Sequence, residues 1–439
     1  MIMRPATSCL SFLCLTAVLL FAGCDFDITN PNNPSEEQVL TTTEGIEALA
    51  VGLQEFYATT ALQANILNTG TTSREVAVTT TFANLINLEA GGQALPNTNA
   101  NVLQSWSRNY RVVGMAEEVI QNAPDLPFEE GTLSGLVATA HLFKAMALGN
   151  IAQTFEQGAL TVDRAGDATF VARVELFEEA IRLLEEAVTL VETTPPSGDF
   201  LNTILAPGID LENTLHAYRA RYHLFAGNYG RAERAADAVD LSATSTFPYD
   251  DLSQNPVWAQ IVQAEALAPR NNFGSLLTEA GDERLEFHTS APLDTTDNDF
   301  EVRAVDGFFS SLTTPIPLYV PGEMALIRAE AIVRGGGALE DAVAEIDAVR
   351  TKTAAEDPFG LGAGLDAYTG PVTEAALLEE IWRQRRAELF MQGLGLEDSR
   401  RLGPGAPDPD DPFARNRNFY PYPQQERDNN PNVPDDPAI

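Results

Sequence analysis

Apolar residues recur at three- and four-residue intervals along most of the chain, which is the pattern of amphipathic helices. Nine segments show the pattern most clearly. The predicted helices are Glu44–Ala58, Val102–Asn122, Thr132–Phe155, Ala172–Glu192, Ile209–Ala226, Gly230–Val239, Pro321–Arg334, Leu339–Thr351 and Thr373–Met391. The pattern therefore predicts a mostly α-helical protein.

Two of these segments carry the same residue pattern at a constant offset in sequence. The positions of the first are Gly227, Tyr229, Ala232, Ala236 and Val239, and those of the second are Gly337, Leu339, Ala342, Ile346 and Val349. A third set keeps the spacing of the last four positions: Phe177, Ala180, Leu184 and Ala187. A turn glycine, a small residue and later apolar residues are typical of the second half of a tetratricopeptide repeat. We therefore predict a scaffold of tetratricopeptide-like helical hairpins.

The repeats are interrupted between about residues 247 and 320 by a segment rich in Pro, Asp, Asn, Ser and Thr. Short strand-like runs occur there at Arg284–Thr289 and Asp299–Val305, so we predict an insertion of loops and short strands. Pro195–Ala206 and Asp357–Pro371 are predicted to be shorter loops. The tail after Gly403 is rich in Pro and Asp but contains four aromatic residues, so we expect it to pack against the body.

All three cysteines lie near the N-terminus, at positions 9, 14 and 24. Arg4, the apolar run Leu10–Phe21 and the small residues before Cys24 are typical of a secretory signal peptide. Ala-Gly-Cys at its end resembles a bacterial lipobox, which implies lipid attachment to Cys24. We predict a signal peptide at 1–23, a lipidated tether at 24–34 and one folded domain at 35–439. The alternative is an ordinary signal peptide with an incidental cysteine.

The formal net charge is −36, from 63 acidic and 27 basic residues. Such a chain disfavours nucleic acid, whose phosphates are bound by Lys and Arg. It also disfavours electrostatic attraction to anionic lipid head groups, so the link to the membrane should depend on acyl chains. We expect no nucleic-acid partner.

Six stretches, in order along the chain, resemble the SusD/RagB family of lipid-anchored outer-membrane nutrient-binding proteins. They are "CDFDITNPNNPSEEQ", "LQSWSRNYRVVGMAEEVIQNA", "GDERLEF", "PGEMALIRAEAIVR", "IWRQRRAELFMQGLGLEDSRRLG" and "FYPYPQQERDNNPN". The chain departs from the family pattern at Gln392, where an acid is common, and at Leu402, where a tryptophan is common. The resemblance extends over essentially the whole mature chain.

The resemblance implies a SusD-like fold: a tetratricopeptide-like scaffold that displays a loop-rich surface. It further implies a protein anchored in the cell outer membrane by lipid and exposed at the surface. Such a protein binds an oligomer, usually a glycan and in some members a peptide, and passes it to a SusC-like TonB-dependent transporter. A glycan is the ligand we expect, and a peptide is the alternative.

We expect no enzyme activity and no cofactor, because the sequence contains no nucleophile elbow, phosphate loop or zinc-protease motif. Two rival functions stay open. The first is a glycoside hydrolase, which needs two carboxylates at a set separation, and the abundance of acids makes pairing by sequence uninformative. The second is a repeat scaffold that assembles other envelope proteins.

The densest charge cluster consists of Arg383, Arg385, Arg386, Glu388, Asp398, Arg400 and Arg401. It is either an anion site or, as we favour, a set of internal ion pairs that fix the C-terminal part of the fold. His216 and His223 lie two helical turns apart, but we expect them to be structural because no third ligand lies near. His141 and His288 are isolated, and no metal site is predicted.

The ligand site is predicted from aromatic residues, because aromatic faces and hydrogen-bonding side chains hold sugars. The candidates in or near the insertion are Trp258, Tyr249, Tyr319 and Phe273. Trp106 is a further candidate, although its place in a patterned helix favours core packing.

Overall fold

The structure is a computed structural model in which residues 39–162 and 165–438 are described. The predicted signal peptide, the lipid-attachment residue Cys24 and the tether at 24–34 lie outside the described residues. Sequence predictions about them stay predictions.

The nine predicted helices are confirmed, and their ends differ from the predicted ones by three residues at most. The helices are α1 (Thr43–Phe56), α2 (Leu62–Thr72), α3 (Ala83–Ala90), α4 (Ala100–Asn122), α5 (Glu130–Thr154), α6 (Arg173–Thr193), α7 (Gly198–Thr203), α8 (Leu211–Phe225), α9 (Tyr229–Asp237), α10 (Pro256–Trp258), α11 (Arg284–His288), α12 (Pro321–Gly335), α13 (Leu339–Arg350), α14 (Glu374–Glu388), α15 (Gly395–Arg401) and α16 (Gln424–Asn429). Two π-helices, Tyr57–Ala61 and Ala259–Gln263, follow α1 and α10.

Three helical hairpins stack in chain order, as predicted from the repeat. They are α5 with α6, α8 with α9, and α12 with α13, and α6 packs on α8 while α9 packs on α12. The small residues of the repeat are fully buried at these contacts. Gly227 and Gly337 each lie two residues before the second helix of their hairpin. The glycine with positive φ is Gly227 (φ +79°) in the first copy and Gly336 (φ +74°), one residue before Gly337, in the second.

Helix α5 is packed between helices α4 and α6. Among the described residues it is the one helix long and apolar enough to cross a bilayer, but 89% of its most apolar 18-residue window is buried. A helix that is apolar all round and covered by neighbours is typical of the core of a large domain.

Helix α2 has no apolar period and was missed by the sequence analysis. Nine of its eleven residues are buried, and most of these are polar or small. Thr71 and Thr72 donate hydrogen bonds to the carbonyl oxygens of Leu67 and Asn68, at 2.7 and 3.0 Å. Because these hydroxyl groups are satisfied within the helix, they can be buried, and the apolar periodicity that marks a surface helix is lost.

Within residues 39–162 and 165–438, the strands form four antiparallel pairs. They are β1 (Val76–Val78) with β5 (Leu267–Pro269), β2 (Gln157–Gly158) with β3 (Val171–Ala172), β4 (Thr246–Phe247) with β8 (Ile316–Pro317), and β6 (Thr289–Pro292) with β7 (Arg303–Val305). The insertion is therefore built of loops and short strands, as predicted. The predicted strand at Arg284–Thr289 is wrong, since Arg284–His288 is the short helix α11 and a strand begins only at Thr289. The run Asp299–Val305 is a strand over its last three residues.

The charge cluster of the Arg-rich region pairs inside the protein. Arg385 and Arg401 bind the carboxylate of Asp398 at 2.8 and 2.7 Å. Glu388 accepts a hydrogen bond from Lys352 at 2.7 Å. The interpretation as internal ion pairs, rather than an anion site, is confirmed.

The C-terminal tail packs against the body, as expected from its aromatic residues. Tyr420 and Tyr422 are fully buried, and the Tyr420 hydroxyl lies 2.9 Å from Thr72 Oγ1. Tyr422 contacts the ring of Phe155 with centroids 6.1 Å apart. The tail therefore ties the last residues of the domain to helices α2 and α5.

Candidate functional site

A groove of about 790 Å³ opens to solvent between helix α3, the second π-helix and the β6–β7 hairpin. We call it the insertion groove, because the insertion provides most of its lining. Its wall from the N-terminal part of the chain consists of Val78, Thr79, Thr80, Ile86 and Glu89. Its wall from the insertion consists of Ile261, Val262, Glu265, Leu267, Ala268, residues 293–298, residues 302–305 and Ser310.

The floor of the groove is a small sheet made by two distant parts of the chain. Strand β1 pairs with β5, with Val78 opposite Leu267. A bridge between Arg270 and Val302 then connects β5 to the hairpin. A groove floor of paired backbone is rigid, since its polar groups are already hydrogen-bonded.

The π-helix that forms one wall is held by a buried asparagine. Asn255 Oδ1 accepts hydrogen bonds from the amides of Val257 and Trp258, at 3.1 and 3.0 Å. Its Nδ2 donates to the carbonyl oxygens of Phe308 and Thr314, at 3.0 and 2.8 Å. The side chain thus caps the helix start and joins it to the end of the hairpin.

Unusual backbone occurs on two sides of this groove. The π-helix Ala259–Gln263 is followed by Glu265 with φ +50°, and Asp299 on the hairpin has φ +60°. π-Helical turns occur often at functional sites, and non-glycine residues with positive φ persist only where the surrounding structure fixes them. This backbone points to a surface shaped for a ligand.

Exposed apolar side chains form the rim of the groove. Ile86 is 42% exposed, Val262 43% and Leu293 49%, and all three line the cavity. Phe82, one helical turn before Ile86, is 57% exposed. A group of exposed apolar side chains around a cavity marks a binding surface, whereas single ones do not.

Polar groups on the groove wall are held in place. Glu89 is 3% exposed, and its carboxylate accepts hydrogen bonds from the amide of Val78 at 2.7 Å and from Asn298 Nδ2 at 2.5 Å. Arg303 donates to Thr289 Oγ1 and binds Glu286, both at 2.8 Å. Threonine hydroxyls of residues 79, 80 and 295 complete the set. The groove therefore offers carboxylate, amide and hydroxyl groups next to an apolar rim.

Three of the predicted aromatic ligand residues are buried, so the expected platform is not formed. Tyr249 is 8% exposed, Tyr319 2% and Phe273 1%. The Tyr249 hydroxyl donates to the carbonyl oxygen of Ala58 in the first π-helix at 3.0 Å. Phe273 packs against the ring of Phe390, with centroids 5.3 Å apart. These rings join the insertion to the helical scaffold because a large ring is most stable away from water.

The two candidate tryptophans, Trp106 and Trp258, do not line the groove. Trp106 is 4% exposed and donates from Nε1 to Glu426 at 3.1 Å. It lines a second cavity of about 490 Å³ together with Tyr110 and residues of α16. Trp258 is half-buried, lies directly before the π-helix and does not line the groove.

The histidines are structural. Burial lowers the pKa of His223 and of His141 to about 4, and that of His216 below its usual range. His288 Nε2 lies 3.1 Å from the carbonyl oxygen of Ala387, which requires a proton on that nitrogen. In the described part of the chain, no group of three or more His, Cys, Asp or Glu side chains is arranged to hold a metal ion.

Sequence analysis located the insertion but missed the residues of the groove. Ile86 and Glu89 line the groove from helix α3, and Phe82 lies directly before that helix, so all three are far from the insertion in sequence. A signal was present, since Phe82 and Ile86 are spaced one turn apart in a segment with no predicted partner helix. Their exposure could not be predicted, because it depends on which surface α3 packs against.

Comparison with known proteins identifies the fold. No family model and no curated protein matches the chain, whereas several solved structures do. A SusD superfamily protein of Bacteroides vulgatus matches with a TM-score of 0.68 and 15% identity, over 91% of this chain and 99% of that one. A SusD superfamily protein of Bacteroides thetaiotaomicron matches with a TM-score of 0.66 and 14% identity, over 91% and 100%.

A SusD-like carbohydrate-binding protein of Bacteroides fragilis also matches, with a TM-score of 0.66 and 14% identity. The match covers 90% of this chain and 100% of that chain. At these identities the likeness concerns the arrangement of the backbone. The chain therefore has the mostly α-helical SusD-like fold, as the ordered motifs of the sequence predicted.

Proposed function

We propose that this protein is a lipid-anchored member of the SusD/RagB family at the surface of the outer membrane. It binds an oligosaccharide nutrient in the insertion groove and delivers it to a SusC-like TonB-dependent transporter. The observation that carries the proposal is an open groove with an apolar rim on a SusD-like scaffold. Its lipid is attached at Cys24, and the following segment, 24–34, connects the lipid to the domain.

The chemistry of the groove fits a sugar oligomer. The exposed carboxylate of Asp294 can accept hydrogen bonds from sugar hydroxyl groups, and the exposed amide of Asn298 can accept or donate them. The rim of Ile86, Val262 and Leu293 packs against the apolar faces of the rings. An open groove accommodates a chain that extends beyond it at both ends, as an oligomer does.

The groove favours binding over hydrolysis. A glycosidase keeps one carboxylic acid protonated near neutral pH, which needs a desolvated site. Glu265, Asp294 and Asp297 are exposed on loops. Glu89 is buried, but both of its carboxylate oxygens already accept hydrogen bonds, from the Val78 amide and from Asn298 Nδ2. The described lining residues therefore include no buried carboxyl group whose oxygens are free to contact a ligand.

The test is a binding screen of the purified protein against arrays of oligosaccharides and peptides, followed by calorimetry on the best ligand. Replacing Ile86 and Val262 by serine removes two apolar contacts and should weaken binding about tenfold, which is about 1.4 kcal/mol. Leu201→Ser and Leu252→Ser are matched controls, because these leucines are 47% and 95% exposed outside the groove.

Equal losses in the groove variant and the control variant would contradict the site. If the protein binds only peptides, the ligand is a peptide rather than a sugar, and the proposed family stays the same. Release of shorter sugars from a bound oligosaccharide, observed by chromatography, would support the hydrolase instead. Purification of the protein from native membranes tests the partner, since a β-barrel transporter should accompany it.

A further inference from the structure

The charges along the insertion groove are almost all negative, and this restricts which oligosaccharides can enter. The groove is lined by Glu89, Glu265, Asp294 and Asp297. Arg303 is the one basic residue among the described lining residues. The imbalance matters only to the extent that each charge is free to act on a ligand.

The basic residue is not free. Arg303 Nη2 binds Glu286 at 2.8 Å, and its Nε donates to Thr289 Oγ1 at 2.8 Å. Its side chain is 13% exposed. A guanidinium group held in this way has little capacity left for a carboxylate or sulfate of a ligand.

Three of the four acids are free. Glu265, Asp294 and Asp297 are exposed, and no ion pair with a described residue involves them. Glu89 differs, because Arg74 lies behind it and donates to the Glu89 carbonyl oxygen at 2.7 Å. A ligand in the groove therefore meets three unpaired negative groups and no unpaired positive group.

Basic residues elsewhere in the chain do not offset the negative charge of the groove. Both lysines of the chain are engaged: Lys144 binds Glu117 at 2.8 Å, and Lys352 binds Asp357 at 2.6 Å. Acids exceed bases by 36 over the whole chain. An anionic ligand is thus repelled during approach as well as inside the groove.

We propose, on the basis of the proposed function, that the insertion groove selects neutral and amino-substituted oligosaccharides and rejects those that carry carboxylate or sulfate groups. The rim binds the apolar ring faces of all these sugars equally. Charge then decides among them, because two unit charges in water interact over a Debye length of about 8 Å at physiological salt.

The experiment compares oligomers of glucose, N-acetylglucosamine, glucosamine and galacturonic acid, together with a sulfated glycan, on one array probed with the purified protein. Every glycan that binds should be neutral or amino-substituted, and an amino form should bind up to about tenfold more tightly than its neutral form at low salt. In 1 M NaCl this preference should disappear.

A charge variant makes the test specific. Glu265→Gln, Asp294→Asn and Asp297→Asn together should remove the preference for amino forms over the matching neutral forms. The matched control is Glu178→Gln, Glu340→Gln and Asp341→Asn, which removes the same charge from exposed positions on α6 and α13. The control should keep the preference.

Uronate or sulfated oligomers that bind as tightly as neutral ones would overturn the inference and leave the proposed function intact. The same conclusion follows if the charge variant behaves like the control. If no oligosaccharide of any charge binds, the proposed function itself fails.

Discussion

Arg385 donates a hydrogen bond from Nε to Asp398 Oδ2 at 2.8 Å, and both side chains are buried. The pair joins helix α14 to helix α15, near the end of the stacked hairpins. Burial by itself would raise the pKa of Asp398, but Arg385 and Arg401 outweigh it and hold the pKa below its usual range. The carboxylate is therefore charged in the folded protein.

Removing one member of this pair should be strongly destabilising. Arg385→Ala leaves a buried carboxylate without its main partner, and we expect a loss of about 3–5 kcal/mol in the free energy of unfolding. Denaturant unfolding followed by circular dichroism measures it. Arg182→Ala is the control, because Arg182 binds Glu179 and Glu186 at the surface, and should cost about 1 kcal/mol or less. Similar losses in both variants would contradict the structural role of the buried pair.

His288 should make the fold sensitive to mild acid. Burial lowers its pKa to about 3, whereas an unfolded chain protonates it near 6.5. As the pH falls, His288 therefore takes up a proton in the unfolded state before it does so in the folded state. The contribution of neutral His288 to stability is full above about pH 6.5 and is lost progressively towards pH 3. His288→Phe should lessen the fall of stability between pH 6.5 and 4.5, measured by urea unfolding.

A control is needed because His288→Phe also removes the hydrogen bond to Ala387. The rings of Phe390 and His288 are in contact, with centroids 5.6 Å apart. Phe390→Leu therefore disturbs the same aromatic cluster but keeps the histidine. This variant should be less stable at every pH, with an unchanged slope. An unchanged slope in His288→Phe would show that other groups cause the acid sensitivity.

Gly149 is required by the close approach of helices α5 and α8. A Cβ atom at this position would lie 2.1 Å from the Tyr222 ring. Gly149→Ala should therefore destabilise the protein by about 1–3 kcal/mol, although alanine favours helix. Gly230→Ala is the matched control: only Arg234 lies within 4 Å, at 3.8 Å, and the change should stabilise by up to about 1 kcal/mol. Thermal unfolding of the two variants should move in opposite directions.

Cys24 should carry the membrane anchor. We expect radioactive palmitate to label the protein in cells and Cys24→Ser to abolish both labelling and membrane association, because two or more acyl chains are needed for stable anchoring. Cys14→Ser is the control and should be labelled normally, since it lies in the predicted signal peptide. Labelling of the Cys24→Ser protein would refute the predicted site.

The helical hairpins could be predicted because their stability comes from amphipathic faces, which leave a periodic pattern in sequence. The ordered motifs added the SusD-like arrangement. Helix α2 escaped prediction, because its buried threonines satisfy their hydroxyl groups within the helix and so erase the pattern. The sequence could not show that Gly336, rather than Gly337, adopts positive φ in the second repeat, since the two glycines are equivalent until the backbone conformation is known.

The sequence by itself determined nine amphipathic helices, their pairing into hairpins and the presence of a loop-rich insertion, because these depend on contacts between residues close in sequence. Only the tertiary structure decided where a ligand could bind. It buried Tyr249, Tyr319 and Phe273, and it placed Ile86 of α3 and Val262 of the π-helix on the same groove. Whether a ring or a methyl group faces water is set by which distant surface covers it, and a pattern of neighbouring residues does not carry that information.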